Sequence, residues 1–301
     1  MGFESYHPAI NLIYFLAVTL LSLFLRQPVF LALSWVCAFA YSVRRNGLRA
    51  LVFDLAMIPC VLLFAAFYGG YHHFGVTQLW TNFIGNRVTL ESFVYGAVLA
   101  ACVAAWAMWM SCVHSVFTAD KIVFLLGRVS PRLSLFVAIL LRTVPRVKAQ
   151  ARRIACARSG IGRGTRQGHA LRRLRNAFAV ASMTLTWLLE SLATTSDSMR
   201  SRGYGRRGRT AFSVYRFDNR DRGIVVVLFA FLTVILMGIL LQQTSVSFDP
   251  RITINPITPL SCTFYAAYFL FCLLPLGLEL YSDLTFYLTR RRHEALPSVH
   301  A

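Results

Sequence analysis

Long apolar runs alternate with short polar breaks along this chain, and one long basic interruption divides them. The runs occupy 10–25, 28–43, 51–69, 92–113, 223–241 and 260–280. A helix needs about 20 mostly apolar residues to cross a bilayer. "INLIYFLAVTLLSLFL" and "PVFLALSWVCAFAYSV" are a little short, and only Arg26 and Gln27 lie between them, so they read as a helical hairpin. Pro59 predicts a kink in the third run. Residues 70–91 are mixed in character, with His72, His73, Trp80 and Asn82. This pattern predicts an all-α integral membrane protein with about six transmembrane helices. About four fall in 1–113 and about two, with a basic tail, in 223–301.

The stretch 114–222 follows a different period. In "PRLSLFVAILLRTVPRVKAQARRIACARSG" the apolar residues Val137, Leu140, Leu141, Val144, Val147, Ala151, Ile154 and Ala155 recur at helical spacing. "NAFAVASMTLTWLLESLATTSDSMRSRG" repeats the behaviour through Leu185, Leu188, Leu189, Leu192, Ser196 and Met199. Each segment predicts a long amphipathic helix, about 40 Å at 1.5 Å per residue. We expect both to lie along or under the membrane. The first closes on Ala157-Arg158-Ser159-Gly160 and the second on Ser201-Arg202-Gly203. Glycine just past the last turn is the usual helix stop. Arg158 continues the stripe Ala151, Ile154, Ala155, and Arg202 lies one turn beyond Met199. Each arginine thus complements the macrodipole and stands at the tip of an apolar ridge. A planar cation there suits a groove that ends in a carboxylate.

Charge sharpens the topology. The net charge is +19, and 142–222 alone holds 19 Lys/Arg against 4 Asp/Glu. The block is both a surface for acidic partners and a positive-inside signal. "RRNGLR" at 44–49 and "RRRH" at 290–293 are basic too, whereas the connections at 26–27, 70–91 and 242–259 carry one arginine each. The rule then predicts cytoplasmic termini and a cytoplasmic central block. The opening carries Glu4 and lacks a basic start and a small-residue cleavage site, so it does not read as a signal peptide.

Candidate chemistry adds little. The sequence contains no GxxxxGK[ST], HExxH, GxSxG or CxxC. Residues 203–208 match GxGxxG literally, but a helix precedes them where a dinucleotide site needs a strand. Seven cysteines sit mostly in apolar runs and read as buried small hydrophobes, neither a disulfide framework nor a zinc site. The histidines read as loop residues. Glu279 and Asp283, at i,i+4 spacing, read as partners of arginines below the membrane, with Arg290–Arg292 close in sequence; Asp54 takes the same reading. Arg206, Arg207 and Arg209 are expected to meet lipid headgroups.

"ARS" at 157–159 and "SRG" at 201–203 carry a family resemblance, their arginines 44 residues apart and each preceded by a basic helix. With "LRTVPRVKAQARRIACARSG", "SMRSRGYG" and the opening "YHPAINLIYF", the chain resembles the transmembrane T component of energy-coupling factor (ECF) transporters, the EcfT/CbiQ family, over essentially its whole length. Ser159 stands where that family usually has Gly, and Ser201 where it has Ala; all are small. The resemblance implies that the two amphipathic helices are cytoplasmic coupling helices. It implies two ABC-type ATPase partners, docked through Ala157, Arg158 and Ser159 and through Ser201, Arg202 and Gly203. It implies a third partner, a small membrane S component that binds the vitamin or metal ion. Apolar faces including Val137, Leu141, Leu188 and Leu192 are expected to meet that S component. On this reading the chain is a non-catalytic subunit in the cell membrane. It holds no cofactor or metal itself, since ATP and Mg belong to the ATPases, and it binds no nucleic acid. The basic block alone leaves an alternative: a membrane-embedded enzyme or docking protein acting on anionic lipid.

Overall fold

The computed structural model describes residues 2–72, 74–81, 87–204, 215–248 and 251–295. The chain folds as two compact units: residues 1–118 with 215–301, and residues 119–214.

The first unit holds α1 (Pro8–Phe24), α2 (Pro28–Asn46), α3 (Leu48–Tyr71), α4 (Leu90–Val116), α8 (Asn219–Leu240) and α9 (Pro259–Ala295). Local chemistry sets their starts. Proline opens α1 and α2, where its missing N–H costs nothing, and the His7 ring accepts from the Ala9 amide at 3.2 Å. Asp218 and Asp221 form a reciprocal capping box on α8. Each predicted apolar run coincides with one of these helices, Leu25 and Leu241 being the C-cap residues of α1 and α8. By length and composition α3, α4, α8 and α9 can cross a membrane. Helix α1 is shorter, at 17 residues, and α2 ends on Arg44, Arg45 and Asn46. Pro59 sits inside α3 without ending it.

The core of this unit is aromatic. Tyr14, Phe30, Tyr41, Trp109, Tyr268 and Phe271 are fully buried. Two of their polar ends bond within the core: Tyr14 donates to the Cys272 carbonyl at 3.2 Å, and the Trp109 indole donates to Ser34 Oγ at 3.0 Å. The Tyr268 hydroxyl is buried without a hydrogen-bond partner among the described residues. Tight helix pairing depends on small residues. A Cβ built on Gly96 of α4 would lie 2.8 Å from Tyr68 of α3, and one on Gly238 of α8 would lie 2.9 Å from Phe264 of α9.

An ion network closes one end of the unit. Arg45 Nη2 lies 2.6 Å from Glu4 and its Nη1 lies 3.6 Å from Glu279, while Arg44 pairs with Asp283. Glu279 and Asp283 are therefore ion-paired, as expected, with arginines of α2; Arg291 lies over the Tyr287 ring. Asp54 departs from the expected ion pairing. It is buried, and neither carboxylate oxygen has a hydrogen-bond partner among the described residues.

Two connections that read as loops in the sequence form small antiparallel hairpins. They are β1 (Gln78–Thr81) with β2 (Arg87–Thr89), and β3 (Val246–Ser247) with β4 (Thr253–Ile254). His73 and Asn82 lie outside the described residues. His72 stacks on Tyr68 with ring centroids 4.1 Å apart. Of the seven cysteines, Cys37, Cys102, Cys112 and Cys272 are buried, whereas Cys60, Cys156 and Cys262 are exposed; none forms a disulfide.

The second unit is helical: α5 (Ala119–Val129), α6 (Pro131–Gly160) and α7 (Ala170–Ser201). The α5 helix was not anticipated. Pro131 separates it from α6, because a residue before proline avoids helical backbone, and Ser134 of α6 donates to the Val123 carbonyl at 2.7 Å. With 32 residues, α7 also has the length and composition to cross a membrane, a property its amphipathic reading did not anticipate. In all, five of the described helices can do so, which marks the chain as a helical membrane protein.

Candidate functional site

The two Arg-centred motifs end α6 and α7. The side chain of Arg158 is partly covered, with its Nη1 4.0 Å from Met183 Sδ of α7. Its Nε is buried without a hydrogen-bond partner among the described residues. Ala151, Ile154 and Ala155 share its half-buried stripe on α6, as the sequence spacing predicts. Ala157 and Ser159 are exposed, and so are Ser201 and Arg202; Gly203 is half-buried.

Both helices close by the same hydrogen-bond pattern, a Schellman motif. At the end of α6, Gly162 takes φ +72°, its amide donates to the Ser159 carbonyl at 3.2 Å, and the Arg163 amide donates to the Arg158 carbonyl at 2.9 Å. At the end of α7, Gly203 takes φ +73°, its amide donates to the Arg200 carbonyl at 3.0 Å, and the Tyr204 amide donates to the Met199 carbonyl at 3.1 Å. Gly203 is the stop the sequence predicts. Gly160 is not; the chain continues as helix through it and turns at Gly162. The reason lies in the loop. Gln167 accepts from the Gly164 amide at 2.8 Å, and Asn176 of α7 donates to the Gly164 carbonyl at 3.0 Å. These bonds hold the chain after Gly162, so the left-handed residue falls there.

The two arginines consequently differ in register. Arg202 is the C-cap residue of α7, whereas Arg158 lies inside the last turn of α6, four residues before its stop. They also lie at different places. Arg202 lines a cavity of about 790 Å³ with Leu135, Ile139, Arg142 and Arg146 of α6. Arg158 is 12 to 23 residues further along α6 than these, roughly 18–35 Å along a helix.

The four apolar residues expected to meet another membrane protein divide. Leu141 and Leu192 are exposed, while Val137 and Leu188 are half-buried. Leu192 lines the cavity and the other three do not. Helix α7 turns Asn176, Val180 and Thr184 inward, and leaves Leu185 and Leu189 exposed. A long apolar face on α7 therefore stays unpaired within the described residues.

Arg142 and Arg146 are cavity residues that sequence reasoning passed over. Their spacing of one helical turn was the available signal. Of the literal GxGxxG, Gly203 serves as helix stop; Gly205 and Gly208, with Arg206, Arg207 and Arg209, lie outside the described residues. No cluster of three metal-ligating side chains occurs among the described residues. No family model and no curated protein matches the sequence.

Proposed function

We propose that this chain is the energy-coupling transmembrane subunit of an ECF-type ABC importer. In this reading Arg158 and Arg202 each dock one ABC-type ATPase, and an S component carrying a vitamin or metal ion binds elsewhere on the chain. The ATPases hold ATP and Mg, and the chain transmits their motion without catalysing a reaction itself. The cell membrane is the compartment that fits.

One observation carries the reading. Two small-Arg-small tripeptides end two long helices of one unit, each beside the same terminal hydrogen-bond pattern, at well-separated points. Two separated docking points suit a pair of ATPases better than one. Arg158 meets a weak sulfur acceptor and Arg202 has no hydrogen bond or ion pair from its side chain among the described residues, so both guanidinium groups retain donors for a carboxylate. A desolvated arginine of this kind contributes about 2 kcal/mol or more to an interface.

The test is affinity purification from the native membrane of wild type beside Arg158→Glu and Arg202→Glu, singly and together. Two ABC ATPases and a small membrane protein should co-purify with wild type, and the double variant should lose the ATPases. Full retention by the double variant, or no ATPase with wild type in mild detergent, would overturn the assignment.

A further inference from the structure

We infer that the cavity between α6 and α7 binds the phosphate headgroup of an anionic phospholipid. Three arginines line it, Arg142, Arg146 and Arg202, and Glu190 is the one acidic residue in its lining. None of the three arginine side chains makes a hydrogen bond or ion pair among the described residues, and Glu190 forms no ion pair with them. Like charges gathered around one space repel, and an anion in that space reverses the sign of the interaction. The planar fork of arginine matches phosphate oxygens in two-pronged fashion.

Size and lining select the kind of anion. About 790 Å³ is the volume of a site for a whole small molecule, typically about 300–1,000 Å³, and far exceeds what one inorganic ion fills. The α6 wall changes character along its length: Leu135, Ala138 and Ile139 are apolar, then Arg142 and Arg146 are cationic. That sequence of surfaces fits an amphiphile, with a chain on the first part and a phosphate on the second. Trp187 joins the lining, and tryptophan favours the level of lipid headgroups. Ser191 and Ser198 of α7 face the same space, and their hydroxyls can donate to ester or phosphate oxygens. A lipid held there touches both helices. The inference concerns the isolated chain; it shares Arg202 with the transporter reading, and its test therefore rests on Arg142 and Arg146.

The experiment uses the full chain purified in mild detergent, with phosphatidylglycerol and phosphatidylcholine as probes and bound lipid counted by native mass spectrometry. Wild type should retain phosphatidylglycerol over phosphatidylcholine by about tenfold, the effect of one charge-assisted contact. Arg142→Gln with Arg146→Gln should abolish that preference. Arg152→Gln with Arg153→Gln, which removes the same charge from exposed positions outside the cavity, should preserve it. Equal retention of both lipids by wild type overturns the site without reference to any variant. Equal loss in the two double variants also overturns it, because diffuse surface charge would then suffice. Inorganic phosphate that displaces the lipid at equal phosphate concentration overturns the lipid assignment in favour of a soluble anion.

Discussion

The amide of Arg163 donates to the carbonyl of Arg158 at 2.9 Å, so the arginine of the first motif is the residue on which the last bond of α6 closes. In the second motif that place belongs to Met199, three residues ahead of Arg202. Two motifs that look equivalent as tripeptides are therefore held differently, one inside a helix and one on its cap.

This difference predicts unequal effects of the stop glycines. Both adopt positive φ, which costs an alanine about 1–2 kcal/mol. In Gly203→Ala the strain falls beside Arg202, and ATPase capture should weaken. In Gly162→Ala it falls four residues beyond Arg158, and capture should persist while stability drops by a similar amount. Thermal unfolding and co-purification of the two variants measure this; equal loss of capture would refute it.

Arg45 should matter far more than Arg44. It bridges Glu4 and the buried Glu279, whereas the side chains of Arg44 and Asp283 are each about half exposed. Removing one partner of a buried pair costs about 2–5 kcal/mol, and an exposed pair contributes about 0.2–1 kcal/mol. Arg45→Gln should lower the unfolding temperature in detergent well below that of Arg44→Gln. Restoration by Glu279→Gln in the Arg45→Gln background would identify the stranded carboxylate as the cause.

Two glycines should respond with opposite signs. Gly96→Ala pushes a methyl to 2.8 Å from Tyr68 Cβ and should destabilise by about 1–3 kcal/mol through overpacking. Gly277→Ala meets only Leu273, at 3.9 Å, and should stabilise α9 by up to about 1 kcal/mol through helix propensity. Parallel thermal unfolding of the two proteins reads both signs.

Leu188 tests the partner faces under the transporter reading. It is half-buried on α7 and lies outside the cavity. Leu188→Asp should release the S component while both ATPases stay bound, because a charge in an apolar contact costs its desolvation. Co-purification in which both kinds of partner are lost, or neither, would refute the assignment.

The sequence alone determined where the apolar helices, the two long helices of the central block and the basic residues lie. It did not determine which helices can cross a membrane: four of the six predicted spans have that length and composition, and so does α7. The placements follow from local rules: apolar length against bilayer thickness, a 3.6-residue period and composition. It also indicated Gly203 as a helix stop. Tertiary structure decided what depends on residues far apart in the chain. Either Gly160 or Gly162 can take the left-handed turn, and Asn176, reaching Gly164 from α7, is among the contacts that set the choice. Either set of arginines near Glu279 and Asp283 could have paired with them, and packing of α9 on α2 brought Arg44 and Arg45, well over two hundred residues away. Which face of α7 turns inward was likewise unreadable, since Asn176, Val180 and Thr184 form a polar and small-residue stripe that hydrophobicity ranks below Leu185 and Leu189. Close helix packing favours the small stripe because it lets backbones approach, and the exposed leucines follow from that geometry.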